Sequence, residues 1–363
     1  MTASGDRIIL KGSQEYLWRI YGSQESLWWQ ICRERAGPIL KDVYFSREYY
    51  KLYESETSAA EAFVFIKADN VFYLPYLKNS IADTPYFDFE MAYGYGGPLA
   101  VCADDGILRE AWGRFYDHCK GSGIIAGFLR FNPFLGNHVL AHPDFVEVIY
   151  DRDIVKLTLD KPYETIWEDY SDDNKNKIRK AGRSGIKVCL DRSPKSLENF
   201  RRMYHDTMNR VGAEQFYYFR PEYFGTIGAL LPEKYAVFTA LKDGVEVGGS
   251  LVLYTDDILN YHLSATMKEC MSLGVANILR DECIKFALAN RIKMINFGGG
   301  RMSSPDDSLF RFKRSFSKET ERFFIGKMIV EEEIYGRACS RWEMVSGAGK
   351  VEAYKNRVLR YRY

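Results

Sequence analysis

Between Lys293 and Phe316 the chain places a short apolar strand, three consecutive glycines and a basic-aromatic run in one stretch. Lys293 to Phe297 read as the strand. Gly298, Gly299 and Gly300 stop it, because glycine alone takes positive φ freely and lets another molecule touch backbone. Ser303, Ser304, Pro305 and Asp306 form a turn, and a run centred on Lys313 follows. Bare backbone delivered beside a lysine suits a negatively charged group. An ordinary strand-to-turn corner with surface charges uses the same residues, and it is the commoner arrangement.

A second anion-binding pattern lies upstream. Tyr261 to Thr266 read as a strand, and Gly274-Val275-Ala276-Asn277 open a helix. A helix N-terminus presents unpaired N–H groups and a partial positive charge, and Gly274 and Ala276 leave the approach uncrowded. A routine helix start is the simpler reading. His262, between Tyr261 and Leu263 on that apolar strand, fits a core histidine better than a catalyst. In the basic segment Lys175, Lys177, Arg179, Lys180, Arg183 and Lys187, helical spacing puts Lys175, Arg179 and Arg183 on one face. That face suits RNA phosphates and a merely solvated surface equally. No metal site is indicated, since the five histidines are dispersed without His-x-x-x-His spacing or a carboxylate cluster.

The elements that position these residues follow from the pattern of apolar residues. Ala62–Lys67 and Val71–Leu77 read as a hairpin about Asp69-Asn70, followed by a strand at Phe87–Ala92 and a break at Tyr93-Gly94-Tyr95-Gly96-Gly97-Pro98. Ile107–Lys120 fit a helix with Leu108, Ala111, Trp112, Phe115 and Cys119 on one stripe, and Gly123–Phe131 a buried strand. Further strands are expected at Val146–Tyr150 and Ile154–Leu159. The second half repeats the scheme. Its hairpin is Ala236–Lys242 and Val247–Tyr254, its next strand Leu259–Thr266, its helix Asn277–Asn290 and its last strand Lys293–Phe297. Two copies of one mixed α/β unit are expected, over 1–159 and 160–363.

Composition bounds the rest. The length and the 46% hydrophobic content fit two globular domains, and a net charge of +1 argues against bulk nucleic-acid electrostatics while leaving local patches open. The seven cysteines are odd in number and lack Cys-x-x-Cys pairs, which points to buried thiols in a reducing compartment. No segment approaches the roughly 20 apolar residues of a membrane span. The first residues lack the apolar core of a signal peptide, so a cytoplasmic chain is expected.

Read together, the pieces resemble the FemAB-like branch of the GNAT N-acetyltransferase superfamily, whose members carry two GNAT-like domains in tandem. The resemblance rests on Tyr93–Pro98, on Lys175-Asn176-Lys177-Ile178-Arg179-Lys180-Ala181 with Gly185, and on Met203–Arg210 with Tyr217-Tyr218-Phe219. Asn296-Phe297-Gly298-Gly299-Gly300 with Leu309–Lys313 and Phe316 complete it. It departs in three places: there is no long coiled-coil arm, Lys175 stands where the family often has Arg, and Met271 stands where the GNAT pyrophosphate loop usually has Gln or Arg. What the resemblance implies is an acyltransferase that moves an acyl or aminoacyl group to an amine of a peptidoglycan or polysaccharide precursor. The alternatives are an acyl-CoA-dependent N-acyltransferase on an amino sugar and a non-catalytic binding scaffold.

The resemblance also assigns roles. Lys313 becomes the catalytic candidate, steadying an oxyanion or the donor phosphate; a snorkelling surface lysine is the plainer reading. Arg210 would hold acceptor phosphate, where a guanidinium fork suits a diphosphate, though it also stands where it can cap its own helix. Tyr95, Gly96 and Gly97 are expected to shape an acceptor cleft between the domains, and Tyr218, Asn296, Gly298, Gly299 and Phe312 to line the substrate site. Gly274, Ala276 and Asn277 are the donor-binding candidates. No tightly bound cofactor is implied; the donor is aminoacyl-tRNA or acyl-CoA. The implied partners are a sugar-nucleotide, glycan or peptidoglycan-precursor acceptor and tRNA, with peripheral contact to a lipid-linked precursor.

Overall fold

Runs of aromatic and aliphatic residues form the strands, and the glycines and Asx residues between them form the corners. The computed structural model describes residues 14–19, 42–68, 70–101 and 104–363. These divide into two compact units that are discontinuous in sequence. Of the described residues, unit 1 takes 14–19, 54–149 and 324–363, and unit 2 takes 42–53 and 150–323. The expected contiguous halves, 1–159 and 160–363, differ from this because the last forty residues return to unit 1 and a short early segment joins unit 2.

In unit 1, β1 (Gln14–Arg19), β2 (Ser58–Lys67), β3 (Asn70–Ser80) and β4 (Phe87–Glu90) pair antiparallel in that order. A short β5 (Leu99–Val101) joins the first part of β3. Helix α1 (Asp105–Gly121) starts where the Asp104 side chain accepts the Ile107 N–H. It leads to β6 (Ile124–Arg130), which runs parallel to β4 and takes the strand Thr320–Ile329 on its other side. Leu108, Ala111, Trp112, Phe115 and Cys119 face inward as the spacing requires, against Phe63, Phe72, Tyr76 and Phe89. Burying one such aromatic contributes about 2 kcal/mol, so this stripe fixes the helix to the sheet.

Unit 2 repeats the plan. From Tyr150 onward β7 (Glu147–Thr158) flanks the sheet; α2 (Tyr163–Asp169), α3 (Asp172–Arg183), β8 (Lys187–Asp191), α4 (Pro194–Val211) and α5 (Pro221–Leu230) follow. The hairpin β9 (Tyr235–Lys242) and β10 (Val245–Tyr254), then β11 (Ile258–Thr266), are antiparallel. Helix α6 (Val275–Ala289) leads to β12 (Met294–Gly298), which is parallel to β11 and antiparallel to β7. A last short helix, α7 (Ser308–Arg314), carries the basic-aromatic run. Each unit is therefore hairpin, antiparallel strand, helix, parallel strand, with a flanking strand from elsewhere in the chain. These are the two tandem GNAT-like units, in mixed α/β sheets.

Two readings change in detail. The strands expected at 146–150 and 154–159 are one strand, because Asp151, Arg152 and Asp153 interrupt the apolar pattern without interrupting the backbone: Arg152 pairs with Asp151, and the Tyr150 hydroxyl bonds Asp153. The expected basic helix at 174–181 is longer at both ends, since Ser171 caps it and Asp172 and Asp173 occupy its first turn. No described helix is long and apolar enough to cross a membrane.

Candidate functional site

Strands β11 and β12 pair through Ile258/Met294, Leu259/Ile295 and Asn260/Asn296, and their pairing ends at the asparagines. That end is built from a buried polar ladder. The Asn260 amide donates to Asp42 Oδ1 at 2.7 Å, and the Asn296 amide donates to Asn260 Oδ1 at 2.7 Å. The Gly298 N–H donates to Asn296 Oδ1 at 2.8 Å. The ladder turns the chain at Gly298, whose φ of +77° is one that glycine takes without strain.

Lys313 closes the corner. Asp307 caps α7 by accepting the Phe310 N–H at 2.9 Å, and this aims Lys313 back at the glycines. Its Nζ donates to the Gly299 carbonyl at 2.7 Å. The Gly300 carbonyl takes an N–H from Arg152 at 2.9 Å. Although Lys313 as a whole is partly exposed, its ammonium sits deep enough for burial to be the main influence on it. Burial, with Arg280 and Arg152 nearby, outweighs the pull of Asp307 and brings Lys313 down to about 7. Such a lysine stands near the midpoint of its titration at neutral pH.

Arg280 was not singled out from sequence. It lies on the inward side of α6, with its guanidinium 4.3 Å from the Tyr261 ring and 4.6 Å from the Phe312 ring. The one signal was its spacing, three, four and seven residues before Cys283, Ile284 and Ala287 on the buried face of the helix. Asn260 and Asp42, equally unannounced, belong to the ladder.

The expected residues fall into four groups. Asn296, Gly298, Gly299, Phe312 and Lys313 come together at the corner. Gly274, Ala276 and Asn277 start α6, but α3 covers that start. A Cβ on Gly274 would overlap the Lys177 carbonyl, the Asn277 amide donates to Asn174, and Lys180 donates to the Ser272 carbonyl. The start of α6 is thus packed against α3. Arg210 is exposed in the last turn of α4 without a hydrogen bond or ion pair to a described residue, and Tyr218 meets the His205 ring edge-on. Tyr95, Gly96 and Gly97 belong to unit 1, where Gly96 bonds Arg130 and Asn137 holds the carbonyls of Gly96 and Pro98.

The other candidates are answered by their contacts. His262 is buried between the hydroxyls of Tyr44 and Tyr223, at 2.9 and 2.6 Å, and burial pulls it down to about 3. It is a neutral core histidine. On α3, Lys175 bonds the Glu168 carbonyl, Lys177 pairs with Asp173, Arg179 lies over Trp167 and Lys180 reaches Ser272. These local partners favour the solvated-face reading of the basic helix.

The corner sets the Lys313 ammonium against glycine backbone, and it falls within the stretch matched by known proteins. The sequence model of the FemAB family matches residues 231–333, which span the hairpin, Asn260 and Asn296 of the ladder, the glycine corner and Lys313. A UDP-N-acetylmuramoylpentapeptide-lysine N(6)-alanyltransferase from Weissella viridescens is 24% identical over 295 residues, covering 75% of this chain and 85% of that protein. Among solved structures, FemX superposes with a TM-score of 0.66 at 13% identity, over 84% of this chain and 97% of FemX. A tandem GNAT protein from the clavulanic acid biosynthesis pathway gives a TM-score of 0.51 at 9% identity, over 87% and 99%. The chain is therefore FemAB-like, built on the tandem GNAT-like fold and similar to peptidoglycan-bridge transferases.

Proposed function

We propose that the protein transfers an activated acyl or aminoacyl group to an amine of a cell-wall or polysaccharide precursor, with Lys313 at the reacting centre. The observation that carries this reading is the Lys313 ammonium held on the Gly299 carbonyl at the open end of β11 and β12. The neutral amine of the acceptor attacks the donor's ester carbonyl, and a C–N bond forms as the carbonyl oxygen takes negative charge. Lys313 donates a hydrogen bond to that oxygen. The C–O bond to the carrier then breaks, the carrier hydroxyl receives a proton, and the amine nitrogen loses one. Positioning and one charge-stabilising donor are enough for such a transfer, each contributing several kcal/mol to the barrier.

The packing at Gly274 supports an aminoacyl ester on tRNA over acyl-CoA, because the usual pyrophosphate ground at the start of α6 is covered by α3 and Met271 adds no donor there. Arg210, exposed and without an acidic partner among the described residues, suits the diphosphate of a nucleotide-linked acceptor. A lipid-linked precursor would be met at a membrane surface. The test incubates the protein with UDP-N-acetylmuramoyl-pentapeptide and either alanyl-tRNA or acetyl-CoA, and reads the acceptor by mass spectrometry. A gain of one alanyl group is expected with alanyl-tRNA. Acetylation alone would move the assignment to the acyl-CoA class, and no gain with either donor counts against transfer to this precursor.

A further inference from the structure

Arg280 is 3% exposed, and its Nε is enclosed without an acceptor. The side chain has no hydrogen bond or ion pair to any described residue. A buried guanidinium is ordinarily matched by a carboxylate, because leaving it unmatched is strongly destabilising. The acid next to it, Asp281, is held elsewhere by the hydroxyls of Tyr163 and Tyr170 and by Lys285. Tyr261 and Phe312 fix the guanidinium plane without neutralising it. Near enough to repel it is a second cation, Lys313, whose Nζ has one N–H on Gly299 and two left over. Two cations converge here, and among the described residues no acid pairs with either.

We infer that Arg280 and Lys313 form a receptor for a phosphate group, the guanidinium fork taking two non-bridging oxygens and the ammonium sharing one of them. A phosphate keeps its charge in a diester, and each non-bridging oxygen can accept from more than one donor. One N–H of Lys313 then remains for the oxyanion described above. An arriving phosphate would also restore to Lys313 the proton that burial and Arg280 weaken. The inference rests on the proposed transfer only for the carrier of the phosphate. With Arg210 assigned to the acceptor diphosphate, the phosphate at Arg280 belongs to the donor.

The test is calorimetry on the full chain with inorganic pyrophosphate, a short RNA ending in CCA, coenzyme A, UDP and, as control, acetate. Binding of at least one phosphate probe but not acetate is expected, weakened about tenfold or more in Arg280→Met. Arg280→Lys, which keeps a cation between the rings but loses the fork, should fall between, and it serves if the methionine variant does not fold. Titration in buffers of different ionisation enthalpy should show proton uptake near pH 8 in the native chain and none in Lys313→Met. The tightest of RNA, coenzyme A and UDP names the carrier. Phosphate binding unchanged in both Arg280 variants, or absent in the native chain, overturns the receptor. Failure of transfer with every donor while Arg280→Met still abolishes phosphate binding counts against the transferase reading and leaves the receptor standing.

Discussion

Lys313 and Gly299 are joined by a 2.7 Å hydrogen bond, and a side chain on the glycine before Gly299 would press on that ammonium. A Cβ on Gly298 would stand 3.1 Å from Lys313 Nζ, at a backbone φ of +77°. Gly298→Ala should therefore cost on the order of 1 kcal/mol from the left-handed backbone and also displace the ammonium. Single-turnover transfer should fall about tenfold or more, since misplacing a positioned group by a fraction of an ångström is expensive in rate. An alanine variant with native rate would mean that the ammonium does not need its place on Gly299.

The lowered Lys313 makes a statement about stability. Its ordinary value is 10.5 and in the folded protein it is brought to about 7. Between those values the unfolded chain binds more protons than the folded one, so stability rises with pH through that window. The cost is fully present below about 7 and gone above the ordinary value. Lys313→Met removes it, so the stability of the variant relative to the native chain should be greatest at about pH 6 and shrink by on the order of 1 kcal/mol towards about pH 10. Denaturant titrations at several pH values check this, and a pH-independent difference contradicts it.

The ladder from Asp42 through Asn260 and Asn296 to Gly298 is buried, so each rung removed leaves an unmatched polar group. Asn260→Ala should cost about 1–3 kcal/mol in urea denaturation. Combined with Asn296→Ala, the losses should be less than additive, with a coupling of about 0.5 kcal/mol or more. Strict additivity would show that the rungs act separately.

His262 contributes an acid limit to stability. Its ordinary value is 6.5 and burial holds it at about 3, so on acidification the unfolded chain takes up a proton that the folded chain refuses. Stability should fall from about pH 6.5 downwards by roughly 1 kcal/mol per pH unit from this group. His262→Gln should lose that part of the slope, as measured by denaturation between about pH 4 and 7.

Much of the fold was legible because periodicity is local. The stripe Leu108–Cys119 and the hairpin about Asp243-Gly244 are determined by neighbours in sequence, and the structure keeps both. The corner was legible for a similar reason, since three glycines followed by a capped basic helix leave few conformations. The ladder was not, because Asp42 meets Asn260 across 218 residues and nothing near either announces the other. Arg280 drew no expectation from the sequence, and only the tertiary packing of Tyr261 and Phe312 around it marks it out. The start of α6 matched a phosphate loop in sequence, yet α3 packs over it.

The most direct measurement is single-turnover transfer from alanyl-tRNA to UDP-N-acetylmuramoyl-pentapeptide, comparing the native chain with Lys313→Met, with folding confirmed by thermal melting. Lys313 is expected to account for a loss of about a hundredfold or more in the rate of the chemical step, the scale of one oxyanion donor, with precursor binding little changed. Transfer by a folded Lys313→Met protein at the native rate would contradict the account.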